Sequence, residues 1–207
     1  ARGFWGLTFF LVGGLLYVPP QLISGLPWSA TAWPAQIGHV MAWVGALIMI
    51  GYMGFVYSTS KGIPFWHSPL HPVLYIAYAL RGGAATLLIL AAIFDLPVNP
   101  RAGILQSWIV VTAMVVMLWA FELHMVTTSG DPAARRSVHE LFRGRLVAYV
   151  YGGILFIGLL VPVTLVIGVI TQVSHATLAA IGMASVIGDF FMKYASIKAG
   201  VHLSVRL

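Results

Sequence analysis

The chain has 207 residues, of which 60% are hydrophobic and only 8% are charged, and its formal net charge is +6 at pH 7. Soluble domains carry about 25% charged residues, so this composition excludes an ordinary soluble domain and indicates a lipid environment. No cysteine is present, which excludes disulfides, thiolate zinc sites and iron–sulfur ligation by the chain itself. We attribute the positive charge to the Lys and Arg excess of cytoplasmic loops and not to nucleic-acid binding.

Six apolar runs are each long enough to cross a bilayer core as a helix, which takes about 20 residues. The runs are too long for barrel strands and do not alternate, and backbone amides in lipid must be bonded within their own segment. The sequence therefore predicts an all-α, polytopic transmembrane helix bundle that forms one integral membrane domain over residues 1–207. The predicted spans are 4–26, 36–58, 71–94, 103–127, 146–170 and 176–202.

Prolines interrupt two of these spans. Pro19–Pro20 lies in the first span and Pro162 in the fifth, and each is expected to kink its helix because proline has no N–H to donate. Alternatively, the first helix ends at Pro19 and residues 20–35 form an irregular or interfacial connection. Trp28 and Trp33 fit that alternative, since indole rings favour the headgroup level.

Basic residues predict the orientation. The side on which the first span begins receives eight of the eleven Lys and Arg residues, whereas the opposite side receives only Arg101. This bias predicts that both ends of the chain are cytoplasmic in a prokaryotic inner membrane. The eight residues are Arg2, Lys61, Arg135, Arg136, Arg143, Arg145, Lys198 and Arg206.

The longest polar connection is "SGDPAARRSVHELFRGR", residues 129–145. Asp131 followed by Pro132 predicts the start of a short surface helix, since proline suits the first helical position. Glu140 has helical spacing to pair with Arg136 or Arg143. The segment is either an ordinary cytoplasmic connection or a docking surface for an acidic partner or for anionic lipid headgroups.

Four ionisable residues fall inside the predicted spans: Arg81, Glu122, Asp189 and Lys193. A charge within the bilayer costs several kcal/mol unless it is paired or hydrated, so each is a candidate for proton transfer or for an intramembrane ion pair. Asp189 can pair locally with Lys193 at i+4, or with Arg81 on another helix at similar depth. Glu122 lies near the basic side and is either an interfacial carboxylate or a group that takes up protons.

Seven histidines lie mostly at span ends, and none lies at a span centre. Two pairs share a side of the membrane, His39 with His175 and His124 with His202. A buried haem needs facing histidines on different helices at matching depth, and no pair here indicates that arrangement clearly. We therefore predict that the chain binds no haem and no metal.

Residues 60–72, "SKGIPFWHSPLHP", place three prolines, a tryptophan and two histidines in one short connection. With its flanks, "GYMGFVYSTSKGIPFWHSPLHPVLYIAYALRGGAA", it resembles the NrfD/PsrC family of polysulfide-reductase-type membrane anchors. The segments "WAFELH" at 119–124 and "GDFFMKYASIKAG" at 188–200 are also similar to that family. The resemblance covers most of residues 36–200. Because "FWGLTFF" at 4–10 is more similar to the family's third helix, we expect about two N-terminal helices to be missing from this sequence.

The resemblance implies a quinone- or quinol-interacting subunit without a redox cofactor of its own. Family members pair with an iron–sulfur subunit, and often with a molybdopterin or other catalytic subunit. The implied cofactor is menaquinone or ubiquinone, and the implied quinone contacts in this sequence are Trp66, His67, Tyr52 and Lys61. The chain itself is then a non-catalytic or quinone-reactive subunit, and the resemblance leaves open on which side the partner docks.

These residue types suit a quinone headgroup, which needs an apolar wall, a donor to its carbonyls and a titratable relay. Trp66 supplies a wall, His67 and Tyr52 supply donors, and histidine exchanges protons near neutral pH. A structural interpretation is also open, in which the prolines rigidify a turn, Trp66 anchors at the interface and Lys61 follows the charge bias.

Two other functions are consistent with the sequence. One is a proton-translocating module built from Arg81, Glu122, Asp189 and Lys193 and coupled to quinone chemistry. The other is a transporter or a purely structural membrane anchor, since proline-broken helices also occur in transporters.

Overall fold

The structure is a computed structural model that describes residues 2–23, 25–94, 98–129, 131–168 and 174–201. These residues form helices and turns without any strand, which confirms the predicted all-α class. Within them, six helical segments are long and apolar enough to cross a membrane, which confirms the predicted bundle. The segments are Gly3–Leu22, Trp33–Ser58, His71–Ile93, Arg101–Thr128, Tyr149–Gly168 and His175–Lys198.

Eight α-helices and one π-helix make up the described chain. In chain order they are α1 (Arg2–Tyr17), α2 (Pro19–Leu22), α3 (Trp33–Ser58), α4 (His71–Ile93), α5 (Val98–Thr128), α6 (Pro132–Phe142), π1 (Tyr149–Leu160), α7 (Val161–Gly168) and α8 (His175–Lys198).

The chain divides into two compact units, Ala1–Val56 and Tyr57–Leu207. In the first unit, α1 and α3 approach each other closely at glycines. A Cβ atom on Gly13 would overlap the backbone of Ala42, and one on Gly45 would overlap the backbone of Phe10. Small residues at such crossings let membrane helices pack backbone to backbone. The single membrane domain over 1–207 stays a prediction.

The helix geometry changes at both predicted proline positions. α1 ends at Tyr17, and the chain restarts as the short helix α2 at Pro19. The first helical segment therefore stops at Leu22, short of the predicted end at residue 26, because the next residue, Ile23, is extended. Around Pro162 the helix changes from π to α geometry, and Val161 N–H donates to the carbonyl of Phe156, five residues earlier.

In the second unit, α4 packs against α5 and α8, while π1 and α7 pack against α8. α4 and π1 begin, and α5 and α8 end, on the same side of this bundle, where α6 also lies; we call it the α6 end. The core at this end contains buried apolar residues from the 60–72 connection, α4, α6 and α8, among them Phe65, Leu74, Leu141 and Met192.

The predicted surface helix is α6. The Asp131 carboxylate caps it by accepting hydrogen bonds from Ala133 N–H at 2.8 Å and Ala134 N–H at 3.3 Å. The pairing expected for Glu140 was wrong: its carboxylate accepts from Arg145 Nε at 3.1 Å, and not from Arg136 or Arg143. The reason is that the chain turns at Gly144 immediately after the helix, which returns Arg145 to Glu140.

Candidate functional site

The 60–72 connection folds as successive tight turns at the α6 end. Ile63 N–H donates to Ser60 O, and Trp66 N–H donates to Ile63 O, each within about one turn of chain. Prolines preset the backbone for such turns, and Ile63 and Phe65 are buried beneath them. The connection is therefore a packed cap on the bundle, which fixes the side chains that follow it.

The four predicted quinone contacts each have different surroundings. Trp66 is half-buried, and its indole donates to Ser196 O at 2.9 Å, which attaches the connection to α8. His67 is exposed and its Nδ1 lies at hydrogen-bond distance from Ser58 O, while Lys61 is exposed. Tyr52 belongs to the other unit, where its ring lies against Gly3.

Ser68, which follows His67 in the connection, forms a buried polar site with Glu122 of α5 and His71 of α4. Glu122 is 2% exposed, and one carboxylate oxygen accepts from Ser68 Oγ at 2.8 Å. The other carboxylate oxygen lies 3.1 Å from Nδ1 of His71, which is 3% exposed. Leu70 N–H donates to the Ser68 hydroxyl and helps to orient it. Glu122 is thus a fully engaged buried carboxylate, and not a snorkelling interfacial one.

The second ring nitrogen of His71 is not part of the contact with Glu122. Its Nε2 is buried and has no hydrogen-bond partner among the described residues. Tyr57 and Tyr75 surround the imidazole, with ring centroids 5.9 Å and 5.1 Å from it. A cavity of about 10 Å³ adjoins His71, which is close to the smallest space that holds one water molecule. A ring nitrogen beside such a space can exchange a proton through that water.

A second polar cluster lies deeper in the bundle, around Arg81 of α4. Its guanidinium pairs with Asp189 of α8 and donates a further hydrogen bond to Gly158 O of π1. Its Nε donates to Thr112 Oγ1 of α5 at 3.2 Å, and Trp108 lies 5.9 Å away with its ring facing the charge. Four helical segments therefore meet at one cation. Lys193, the other predicted neighbour of Asp189, is exposed.

The backbone of π1 and α7 explains how Arg81 is accommodated. Pro162 lies four residues after Gly158 and has no N–H to donate to the Gly158 carbonyl, which accepts from Arg81. A Cβ atom on Gly158 would overlap Gly188 of α8, so two glycines bring these helices into contact beside Asp189. Proline and glycine together place a carbonyl and a carboxylate on the same guanidinium.

Tyr78 lies between the two polar clusters on α4. It lines the small cavity at His71 and also a cavity of about 70 Å³ that Arg81 and Thr112 line. The larger cavity has room for more than one water molecule, because one water needs roughly 10–15 Å³. His71, Tyr78 and Arg81 thus form a polar line along one helix, with space for water between its members.

Sequence reasoning identified Arg81, Glu122 and Asp189 and missed the residues that contact or adjoin them: Ser68, His71, Tyr78, Thr112 and Gly158. Two signals were available. A carboxylate inside a span needs donors, and His71 begins the neighbouring span on the same side of the membrane as Glu122. Pro162 frees the carbonyl four residues before it, which marks Gly158 as an acceptor.

No group of three or more His, Cys, Asp or Glu residues that could hold a metal occurs in the described part of the chain.

The family model described as polysulphide reductase, NrfD, matches residues 20–203. The chain is 30% identical over 161 residues to protein NrfD of Escherichia coli (strain K12), which covers 75% of this chain and 50% of that protein. The chain therefore spans about half the length of this curated relative. No solved structure matches at a significant level. With six membrane-length helices among its described residues and a family match over most of its length, the chain is an integral membrane protein that belongs to the NrfD family.

Proposed function

We propose that this chain is the quinone- or quinol-interacting membrane subunit of a respiratory oxidoreductase complex. Electrons pass to or from an iron–sulfur partner subunit, as the family resemblance implies. A molybdopterin or other catalytic subunit of the same complex acts on the terminal substrate. Family membership supports the anchoring role, and the site at the α6 end supports the quinone role.

The observation that carries the proposal is the buried Glu122–His71 pair with its unpartnered Nε2 atom. Quinone reduction consumes two electrons and two protons, and quinol oxidation releases them. Protons must therefore move between the aqueous phase and the quinone through the buried part of the protein. A carboxylate that orients an imidazole is suited to this transfer, because the second ring nitrogen then accepts or donates the proton. Ser68 holds the carboxylate in place.

The quinone ring itself lies on the connection and not beside His71. The cavity at His71 holds about one water, which is too little for a ring. Trp66 and His67 stay the proposed wall and donor, and Tyr52 and Lys61 stay proposed contacts. His71 and Glu122 then stand behind the ring as the proton relay.

The test is quinol oxidation or quinone reduction by the intact complex. We expect His71→Gln and Glu122→Gln to lower kcat by about 10²-fold, the lower range for loss of a general acid–base. His67→Ala is expected to raise KM for the quinone more than it lowers kcat. His124→Gln is the matched control, because His124 is exposed on α5 two residues from Glu122. Unchanged kcat in His71→Gln would refute the relay.

A second function, proton translocation across the membrane, is favoured by the polar line on α4. Tyr78 connects the cavity at His71 to the one at Arg81, and one oxygen of Asp189 has no partner among the described residues. Protons taken up at Glu122 would then continue toward Asp189. We expect Asp189→Asn to keep quinol turnover and lose proton pumping in proteoliposomes. Proton pumping that persists in this variant would show that Asp189 is not part of a transmembrane proton path.

A further inference from the structure

Helix α6 is amphipathic and lies between two membrane-spanning helices. Its buried face has three residues at helical spacing, Ala134, Ser137 and Leu141. Its opposite face is exposed and basic, with Arg135 and Arg136, and the exposed Arg143 follows the helix directly; we call these three residues the arginine face. Because α5 ends at Thr128 and π1 begins at Tyr149, the helix is held at the membrane boundary, where lipid phosphates are always present.

The arginine face lacks an acidic partner within the described chain. Glu140, the acid nearest to it in sequence, is held by Arg145, and the hydrogen bonds from Arg145 lower the Glu140 pKa, so the carboxylate stays charged and engaged. Asp131 is occupied as the helix cap. No ion pair to Arg135, Arg136 or Arg143 occurs among the described residues. This face is therefore available to bind an external anion.

An open apolar groove lies between α5 on one side and π1 and α7 on the other. Its volume is about 940 Å³, and its walls include Ile109, Val116, Met117, Leu155, Leu159 and Ile167. On the π1–α7 side it runs from Tyr151 to Ile167, on the order of 20 Å at about 1.5 Å per residue. That length exceeds the roughly 15 Å of one bilayer leaflet.

The groove begins beneath the arginine face. Tyr151 lines the groove at its α6 end, and its ring packs against Phe142 with centroids 6.2 Å apart. Phe142 also packs against Trp119 of α5 at 6.0 Å. Arg143 follows Phe142 directly in the sequence, so the basic face and the groove adjoin each other.

We propose that this region is a binding site for one anionic phospholipid, with its phosphate at Arg136 and Arg143 and an acyl chain in the groove. Between residues 132 and 145 there are four arginines and no lysine, and the planar forks of arginine bind phosphate oxygens in pairs. An acidic protein segment would satisfy the charges and leave the apolar groove empty. A quinone would fill the groove and leave the arginines unneutralised. A phospholipid satisfies both.

The experiment uses the full chain reconstituted in phosphatidylcholine vesicles that contain spin-labelled phosphatidylglycerol or spin-labelled phosphatidylcholine. Electron paramagnetic resonance measures the motionally restricted fraction of each labelled lipid. We expect phosphatidylglycerol to associate roughly fivefold more strongly, the contribution of about one basic residue near an anionic lipid. Arg136→Gln/Arg143→Gln should reduce this ratio to about one, while Arg136→Lys/Arg143→Lys should retain part of it.

Two matched controls test whether the effects come from this site. One removes positive charge elsewhere, and the other adds a bulky side chain outside the groove. Lys61→Gln/Lys198→Gln removes the same charge at the same end of the bundle and is expected to keep the preference. Ala113→Phe fills the groove and is expected to weaken association of the acyl chain, whereas Ala120→Phe, exposed on α5 outside the groove lining, is not.

A ratio near one in the wild-type chain would overturn the proposal, as would an unchanged ratio in Arg136→Gln/Arg143→Gln. Displacement of labelled phosphatidylglycerol by an added quinone at equal membrane concentration would identify the groove as a quinone site instead. Loss of complex assembly in the glutamine variant without any lipid preference in the wild type would identify the face as a docking surface for an acidic subunit.

Discussion

Arg81 carries its positive charge on a membrane-spanning helix, and each of its neighbours offsets part of the free-energy cost of removing that charge from water. The guanidinium has five N–H groups, and three different acceptors engage it: the Asp189 carboxylate, the Gly158 carbonyl and the Thr112 hydroxyl. The face of Trp108 adds a cation–π contact. Since a lysine could not span these acceptors with one ammonium, the geometry requires arginine.

Removing one member of the Arg81–Asp189 ion pair should lower the free energy of unfolding more than removing both members. Asp189→Leu leaves the Arg81 charge buried without a counter-ion, and we expect the free energy of unfolding to fall by about 3–5 kcal/mol. Arg81→Met/Asp189→Leu removes both charges and is expected to lose clearly less than the single variant. Unfolding by titration with a denaturing detergent, followed by circular dichroism, measures the difference.

If the double variant were as unstable as Asp189→Leu, the loss would come from side-chain packing and not from the uncompensated charge. Lys193→Met serves as the control, because Lys193 lies one turn along α8 and is exposed. Its unfolding midpoint should stay close to that of the unmodified chain.

The sequence was most informative about residues whose chemistry is rare in lipid. Arg81, Glu122 and Asp189 could be recognised because a charge within a span is costly and therefore needs a partner. His71 could not be recognised in the same way, because a histidine at a span end is usually at the interface. Its burial comes from the turns of the 60–72 connection, whose packing depends on Ile63 and Phe65 and not on composition.

At the scale of the elements, the contact between π1 and α8 brings the Arg81 cluster together. Gly158 and Gly188 meet with no space for a Cβ atom on either, and Pro162 lies four residues beyond Gly158. Small residues allow this approach, and the proline leaves a backbone carbonyl available. The crossing and the ion site are therefore one structural feature.

A methyl group at this crossing should be destabilising. In Gly188→Ala the new Cβ atom would overlap the backbone of Gly158, which cannot move aside as a flexible side chain would. We expect a loss of about 1–3 kcal/mol in the free energy of unfolding, the usual cost of overpacking. The same detergent titration measures it.

Gly83→Ala is the matched control for this prediction. Gly83 lies in α4, and a Cβ atom there would meet nothing within 4 Å. Alanine is the better helix former by up to about 1 kcal/mol, so this variant should be neutral or stabilised. Equal behaviour of the two alanine variants would mean that the helices do not touch at Gly188.

Hydropathy determines helix number and does not determine helix geometry. The six spans could be predicted because lipid requires long apolar helices, whatever their side chains. The observed and predicted ends of these spans differ by several residues at Leu22 and Trp33, because local capping contacts and not hydropathy determine where a helix ends. The π geometry of Tyr149–Leu160 had no signal in composition, since π and α turns bury the same apolar side chains.

At the scale of the whole molecule, charge asymmetry gives the strongest expectation about orientation. The sequence predicts eight Lys and Arg residues on one side of the membrane and only Arg101 on the other, so by the positive-inside rule we expect the α6 end, which carries Lys61 and the arginines of residues 135–145, to be cytoplasmic. The proposed lipid site agrees with this side, because anionic lipid attracts basic segments there. The proposed proton relay would then exchange protons with the cytoplasm.

The absence of native cysteine makes this orientation directly measurable. Ser129 lies between α5 and α6, Ser29 lies between α2 and α3, and both serines are exposed. Each can be replaced singly, as Ser129→Cys or Ser29→Cys. Three predicted spans separate them, so the two thiols should lie on opposite sides of the membrane. In intact spheroplasts we expect a membrane-impermeant maleimide to label Ser29→Cys and not Ser129→Cys, while labelling after lysis should reach both. Labelling of Ser129→Cys in intact spheroplasts would place the arginine-rich face outside, and a docked partner would then have to override the charge bias.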